Sequence, residues 1–311
     1  MISFDLENLN GVMPAMITSF NKDESINIKG IKNTINYLIS EKINGLYITG
    51  STGETFFMSP DEKKKVIDII VEEVNGRLPV IAHVGSIGTK ITIDLAEHAS
   101  KAGVDALSAL PPFYYDFSDA EIFNYYSDLA QSSELPIIIY NISHANLMDF
   151  DMLKQLAKID NIKGVKYTAA THFNFSKIKK EIGEYFKIYS GMDEMAMSGL
   201  ISGADGMIGS FYNLMPEMFV GIFKNIKNGN MNEAKKLQEK VNIIILYALK
   251  KSGYPFIKMG LNWLGVDSGY VRRPFVSLVD SPIEQEIKND LKKLSEENDL
   301  SGLKFLNALL F

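Results

Sequence analysis

Hydrophobic residues along the chain follow two alternating patterns. Short runs of apolar, often β-branched residues are each followed by a longer stretch in which apolar residues recur every three or four positions. The first pattern is typical of strands buried on both faces, and the second of amphipathic helices. The predicted strands are Gly11–Thr18, Leu46–Ile48, Val80–Val84, Ala106–Leu110, Pro136–Tyr140, Asn161–Ala169, Phe186–Tyr189 and Gly206–Gly209.

Helical stretches separate all of these strands. The first covers Ile28–Ile43, and the second begins at Ser59-Pro-Asp-Glu62, where a capping serine precedes a proline and a glutamate. Further helices are predicted to begin near Thr89, Ser118, Asp149, His172, Glu194 and Pro216. About eight such units close a (β/α)₈ TIM barrel. The alternative, a doubly wound open sheet, usually has fewer units and a Gly-rich first turn, which is missing here.

The alternation of strands and helices ends at about residue 228, and only helices are predicted after it. Met231–Lys251, Pro255–Leu264 and Ser281–Glu297 are predicted helices, and the apolar segment Leu303–Phe311 is expected to dock on another part of the protein. We therefore predict an α/β barrel over residues 1–228 and a C-terminal helical extension over residues 229–311 that packs on it.

Composition narrows the classes of function. The 311 residues carry a net charge of −6, which argues against a nucleic-acid partner, and the absence of cysteine excludes disulfides, thiolate metal sites and a catalytic thiol. No apolar run approaches the roughly 18 residues of a membrane span. The first eleven residues lack the basic-then-apolar pattern of a signal peptide. We expect a soluble cytoplasmic protein without a nucleic-acid or membrane partner.

Lys166 lies near the end of the sixth predicted strand. Burial of a lysine is costly, and an amine that points into a barrel would have a lowered pKa and become a usable nucleophile. The alternative is that Lys166 extends from the strand end into water. Lys163 is an odd number of residues away on the same strand, so its side chain is expected on the opposite side.

Other polar groups are predicted at the same rim, because chemistry in such barrels lies at the carboxyl ends of the strands. Gly50-Ser-Thr-Gly53 follows the second strand and exposes backbone N–H groups that suit a carboxylate or phosphate. The other strand ends carry Tyr114, Tyr140, Asp193, Glu194 and Ser210. An amine nucleophile, a phenol and an anion site together favour imine chemistry on a ketone beside a carboxylate, that is, a 2-oxo acid.

At these positions the chain resembles the N-acetylneuraminate lyase and dihydrodipicolinate synthase superfamily of Schiff-base aldolases, from about Gly11 to about Phe275. Gly50–Glu54 resembles the loop that binds the pyruvate carboxylate, Tyr140–Ile142 the catalytic tyrosine segment, and Gly164–Lys166 the imine lysine segment.

The lyase branch of this superfamily is the better match. Ser51-Thr52 stands where the synthases usually have two threonines, and Ala145 stands where they carry an arginine. The chain also departs from the lyase pattern at Ser143-His144, Met192 and Phe211, where lyases commonly have a proline, a tyrosine and a small residue. These departures bear on which sugar acid is bound, and leave the imine chemistry untouched.

The resemblance implies a role for each matching residue. Lys166 forms the imine, Tyr140 moves protons, Ser51 positions Tyr140, and Ser51 with Thr52 binds the carboxylate. Tyr114 is lent across a subunit interface, in a homotetramer built from dimers. The residues implied to contact the substrate further out are Tyr47, Thr168, Gly191, Asp193, Glu194 and Ser210.

Three functions follow as hypotheses. The resemblance implies a lyase that cleaves N-acetylneuraminate to pyruvate and N-acetylmannosamine, with no cofactor beyond the covalent imine. A second is another pyruvate-dependent aldolase or dehydratase with a different sugar acid. A third is a non-catalytic sensor of sialic acid or pyruvate, which would be expected to lack Lys166 or Tyr140. The four scattered histidines, His83, His98, His144 and His172, indicate no metal site, although His144 and His172 lie close in sequence to the candidate site.

Overall fold

Eight parallel strands form one sheet that closes on itself. The computed structural model describes residues 9–310, with side chains through Leu309; the signal-peptide analysis of residues 1–8 and the end of the apolar segment at Phe311 lie outside it. The strands are β1 (Gly11–Pro14), β2 (Leu46–Ile48), β3 (Val80–His83), β4 (Ala106–Ala109), β5 (Ile137–Ile142), β6 (Ile162–Thr168), β7 (Lys187–Ser190) and β8 (Gly206–Gly209).

Each strand pairs with its neighbours in chain order, and β1 pairs with β8. A single parallel bridge between Ala15 and Tyr47 joins β1 to β2, with the Met16 N–H donating to the Tyr47 carbonyl at 2.8 Å. The prediction of a (β/α)₈ TIM barrel is therefore confirmed.

One helix follows each strand. These helices are α1 (Ile28–Ser40), α2 (Pro60–Val74), α3 (Thr89–Ala102), α4 (Asp119–Gln131), α5 (Phe150–Leu156), α6 (Phe173–Glu181), α7 (Ala196–Ile201) and α8 (Pro216–Lys227). The predicted capping box is present at Ser59, whose side chain accepts from the Glu62 N–H. No helix among the described residues combines the length and apolar character needed to cross a membrane.

Two of the predicted element boundaries were wrong for reasons that the structure shows. β1 ends at Pro14 rather than Thr18. Ala15 and Met16 each make one backbone hydrogen bond to a neighbouring strand. The Asn213 amide then binds this segment: it accepts from the Ile17 N–H at 3.2 Å and donates to the Ala15 carbonyl at 2.7 Å. α1 ends before Ile43, because Lys42 has a φ of +61°, which no α-helix accommodates.

The barrel interior is packed with side chains from alternate positions of the strands. These include Met13, Ile81, Ile138, Tyr189 and Ile208, all fully buried. A larger apolar layer lies between the outside of the sheet and the helices. The interior is therefore a solid core that supports the rim, as in other barrels of this architecture.

The C-terminal residues form four further helices: α9 (Met231–Lys250), α10 (Gly253–Trp263), α11 (Glu284–Glu297) and α12 (Lys304–Leu310). α9 packs against α8, and α12 packs against α10. Leu303, Phe305 and Leu306 are buried, and the Phe305 ring meets that of Phe256 with centroids 6.4 Å apart. The chain end thus docks on α10, as expected, up to Leu306. The domain boundary at residue 228 stays a prediction.

Replacing Phe305 by alanine tests whether α12 is part of the cooperative fold. The ring is fully buried, so Phe305→Ala is expected to lower the free energy of unfolding by about 3–5 kcal/mol through lost burial and a cavity. Urea titration measures this. Phe173→Ala is the control, since that ring is 74% exposed and its loss should change the free energy of unfolding by less than about 0.5 kcal/mol. Equal small changes in both variants would contradict docking of α12.

Candidate active site

Lys166 lies inside the barrel, directly beside Tyr140. The two residues are paired in register on neighbouring strands β6 and β5. The Lys166 amine is 4.0 Å from the centre of the Tyr140 ring and 4.5 Å from that of Tyr47, and the residue is only 5% exposed. Lys163 points to the outside, where its amine faces the Tyr185 ring at 5.9 Å. The prediction that Lys166 faces inward is correct.

Burial changes the acidity of the Lys166 amine. Among the described residues no carboxylate forms a salt bridge with it, and desolvation lowers its pKa from 10.5 to about 7, against a smaller opposing effect of Asp193. A substantial fraction of the amine is therefore unprotonated at neutral pH. An unprotonated amine is what attack on a carbonyl carbon requires.

Tyr140 is the phenol that faces this amine. Burial raises the pKa of Tyr140, and the nearby hydroxyls of Ser51 and Thr168 partly oppose this effect. The ring packs edge-on against Tyr47 and His83. The phenol is thus protonated at neutral pH and can donate a proton to an oxygen beside Lys166.

His83 supports this aromatic cluster from β3. The Leu110 N–H donates to His83 Nε2 at 3.4 Å, so Nδ1 carries the proton and donates to the Thr49 carbonyl at 3.2 Å. Burial lowers the pKa of His83 to about 3, so the imidazole stays neutral. Its role beneath Tyr140 was not predicted, because nothing in the sequence around His83 marks it.

The segment after β2 forms a tight turn at the rim. Ser51–Gly53 is one turn of 3₁₀ helix, and no described residue accepts a hydrogen bond from the Ser51 or Thr52 backbone N–H. The Thr52 hydroxyl lies 2.7 Å from the Ser210 hydroxyl across the barrel mouth. Two free N–H groups and two hydroxyls form a suitable site for an anionic oxygen.

A cavity of about 260 Å³ lies over the ends of β6, β7 and β8. Five residues predicted to contact substrate line it: Thr168, Gly191, Asp193, Glu194 and Ser210. A side chain at position 191 would place its Cβ 2.1 Å from the Thr168 hydroxyl, so glycine is needed there. Met192, Phe211, Ile245, Leu249, Gly253 and Tyr254 complete the lining.

Asp193 is the buried carboxyl of this cavity. Burial raises its pKa to about 7, partly offset by the N–H of Phe211, which donates to its Oδ2 at 2.7 Å. The backbone carbonyls of Asp193 and Glu194 accept from the Gln238 and Asn242 side chains on α9, each at 3.1 Å. A helix of the C-terminal extension therefore holds the turn that carries both carboxyl groups.

Some candidate residues lie away from this cluster. Tyr114 is 77% exposed and Tyr115 is 68% exposed, with their rings 4.9 Å apart. His144 is exposed, and His172 is buried between α6 and α7 with its Nδ1 3.0 Å from the Ser198 hydroxyl. Within residues 9–310, no group of three or more His, Cys, Asp or Glu side chains is arranged to hold a metal ion.

Tyr254 at the start of α10 is a site residue that the sequence did not reveal. It lines both the 260 Å³ cavity and a second, nearly apolar cavity of about 200 Å³ beside Ser51 and Glu54. Burial raises its pKa to about 12, with Tyr140, Asp193 and Thr52 among its neighbours. The residue lies in the helical extension, and no local motif connects that part of the chain with the rim.

A buried lysine beside a phenol, at the rim of a (β/α)₈ barrel, is the arrangement of a Schiff-base aldolase. The comparison with known families agrees with this class: the model of the dihydrodipicolinate synthetase family matches residues 8–296. The chain belongs to that family.

Its relatives include enzymes named N-acetylneuraminate lyase. The one from Rhizobium meliloti is 37% identical over 269 residues, covering 86% of this chain and 89% of its own. The one from Clostridium perfringens is 36% identical, covering 89% and 97%. A Clostridium difficile protein solved in complex with mannosamine superposes with a TM-score of 0.87 at 35% identity, covering 93% of this chain and 99% of its own.

The buried amine of Lys166 is expected to lower the free energy of unfolding. Its folded-state pKa of about 7 lies below the ordinary 10.5, so the folded state disfavours the charged amine. This cost to the free energy of unfolding is largest below pH 7 and disappears as pH rises towards 10.5. Lys166→Met should therefore raise the free energy of unfolding at pH 7 by roughly 1–3 kcal/mol. Denaturant titrations from pH 6.5 to 9.5 measure the difference. A difference that grows with pH, or a destabilised variant, would contradict the lowered pKa; Lys163→Met is the control.

Proposed function

We propose that this protein cleaves N-acetylneuraminate to pyruvate and N-acetylmannosamine through an imine on Lys166. The observation that carries the proposal is the buried amine of Lys166, unpaired with any described carboxylate, 4.0 Å from the centre of the Tyr140 ring. The relatives named N-acetylneuraminate lyase support the choice of substrate.

The first step joins substrate and enzyme. The Lys166 amine attacks the C2 carbonyl carbon of the open-chain sugar acid. The carbonyl oxygen then leaves as water, taking one proton from the attacking nitrogen and the other from the Tyr140 phenol, which becomes a phenolate. The hydroxyls of Ser51 and Thr52 and the free N–H groups of their turn hold the neighbouring carboxylate. The product is a protonated imine, which acts as an electron sink.

The second step breaks the C3–C4 bond. The C4 hydroxyl loses its proton to the Tyr140 phenolate, the C4 oxygen becomes the aldehyde of N-acetylmannosamine, and the bonding electrons pass to the imine as an enamine. Protonation at C3 and attack of water on the imine carbon then release pyruvate and restore the Lys166 amine. No step needs a metal or an organic cofactor, and we propose that none is bound.

The far end of the sugar acid is assigned to the 260 Å³ cavity. Thr168, Gly191, Asp193, Glu194 and Ser210 line it with hydroxyl, carboxyl and backbone groups that suit a polyol. Tyr47 contributes the ring beneath the reacting amine. Met192 and Phe211 make part of this lining apolar. Substrate tests should therefore compare N-acetylneuraminate with other sugar acids.

Two broader features belong to the same proposal. The exposed Tyr114 is assigned to the active site of a neighbouring subunit in a homotetramer built from dimers. We also propose that the enzyme works in the cytoplasm.

Borohydride trapping tests the imine. The protein is incubated with pyruvate and sodium borohydride, so that hydride reduces the imine carbon and fixes a pyruvyl-derived mass on the lysine. Peptide mass spectrometry is expected to locate it on Lys166. Lys166→Ala should lose both the adduct and essentially all release of pyruvate from N-acetylneuraminate, because the covalent route is removed. Lys163→Ala is the control and should retain both; an adduct elsewhere would refute the assignment.

Glu194→Ala tests the assignment of the cavity to the sugar tail. A charge-assisted hydrogen bond contributes about 1.5–3 kcal/mol, so kcat/KM for N-acetylneuraminate is expected to fall about 10- to 150-fold. Trapping of pyruvate should be unchanged, because pyruvate has no polyol tail. Glu233→Ala, on the exposed start of α9, is the control. If cleavage and trapping fall together, Glu194 supports the imine site; if neither changes, the tail is bound elsewhere.

A further inference from the structure

Glu54 follows the Ser51–Gly53 turn and is fully enclosed by the protein. It has a left-handed backbone conformation, φ +58° and ψ +37°, and its N–H donates to the Ser51 carbonyl at 3.0 Å. A residue with a Cβ is uncommon in that conformation, where glycine is favoured. The backbone conformation at position 54 would favour glycine, yet the chain has a glutamate there.

Both carboxylate oxygens of Glu54 are bound by the C-terminal extension. Lys258 on α10 donates from Nζ to Oε1 at 2.5 Å, and the backbone N–H of Arg272 donates to Oε2 at 2.8 Å. Lys258 also donates to the Tyr270 carbonyl at 2.6 Å, and its amine faces the Phe20 ring at 4.7 Å. The side chains of Glu54 and Lys258 are 0% and 1% exposed.

Stability alone does not require this ion pair. A buried pair loses so much hydration that apolar side chains of similar volume often give equal or greater stability. A buried ion pair fixes the positions of the segments that carry it, because neither charge can move away from its partner without a large cost in free energy. The part positioned here is the turn that carries Ser51 and Thr52.

We propose that the Lys258–Glu54 ion pair is a positioning device that fixes the Ser51–Gly53 turn for recognition of the substrate carboxylate. The inference rests on the proposed function, which assigns that turn to the carboxylate of a 2-oxo acid. Lys258 and Glu54 touch neither the substrate nor the reacting atoms. They act through the backbone bond between Glu54 and Ser51, and loss of the pair leaves the Lys166 amine in place while the turn shifts.

The test compares two ketones that differ only in the carboxylate. Pyruvate and acetone are each trapped on Lys166 with borohydride, and the ratio of the two second-order trapping rates is measured. Lys258→Met and Glu54→Gln are expected to lower the pyruvate-to-acetone ratio by about 10- to 100-fold, since a displacement near 1 Å has effects of that size. The acetone rate should change little.

Lys179→Met is the matched control. It breaks another ion pair, in which Lys179 Nζ lies 2.7 Å from Asp205 Oδ2 at the opposite end of the barrel, and it should leave the ratio unchanged. The double variant Glu54→Leu/Lys258→Met replaces the ion pair by apolar side chains of similar size. It provides the test if a single variant fails to fold. It too should show the lowered ratio, with a cooperative thermal transition.

Each outcome bears on the proposal separately from the proposed function. An unchanged ratio in a folded Lys258→Met, Glu54→Gln or double variant overturns the positioning role. Equal loss of both ketones also overturns it, because that result marks a general disturbance of the lysine site. Failure of the proposed function appears in the wild-type protein instead, as trapping of pyruvate without cleavage of N-acetylneuraminate.

Discussion

The free energy of desolvating one amine is the constraint around which the site is built. Lys166 has no compensating carboxylate salt bridge among the described residues, and the aromatic rings of Tyr47 and Tyr140 surround its amine in place of water. Closure of the sheet brings Tyr47 on β2 across the barrel to Lys166 on β6. The closed barrel thus lowers the pKa of Lys166, and an amine with a lowered pKa suits the nucleophile of the proposed function.

The rim of the barrel is built from two regions of the chain. Strands contribute Lys166 and Tyr140, but the loops over them are held from outside by the C-terminal helices. Gln238 and Asn242 bond the carbonyls of the Asp193–Glu194 turn, and Lys258 bonds Glu54 beside the Ser51 turn. The positions of these rim loops therefore depend on packing between regions that are distant in sequence.

This division explains which parts could be predicted from the sequence. Strand order, the inward direction of Lys166 and the cluster at the strand ends follow from local patterns and from the rule that barrel chemistry lies at carboxyl ends. Tyr254, His83 and the Lys258–Glu54 pair could not be found in this way. Their roles come from contacts between distant parts of the chain, such as that between Lys258 and Glu54, which are 204 positions apart. The early end of β1 has the same origin, since Asn213 lies 198 positions beyond Ala15.

Lys166 and Asp193 have pKa values that approach each other, both near 7. Burial favours the neutral form of each, and the attraction between their charges opposes this effect. Before substrate binds, a neutral amine and a neutral carboxyl therefore suit the site. An imine on Lys166 must carry a positive charge to accept electrons from the C3–C4 bond. In the proposed function, that charge favours ionisation of Asp193. In the proposed function, Asp193 therefore couples the cavity assigned to the sugar tail to the imine on Lys166.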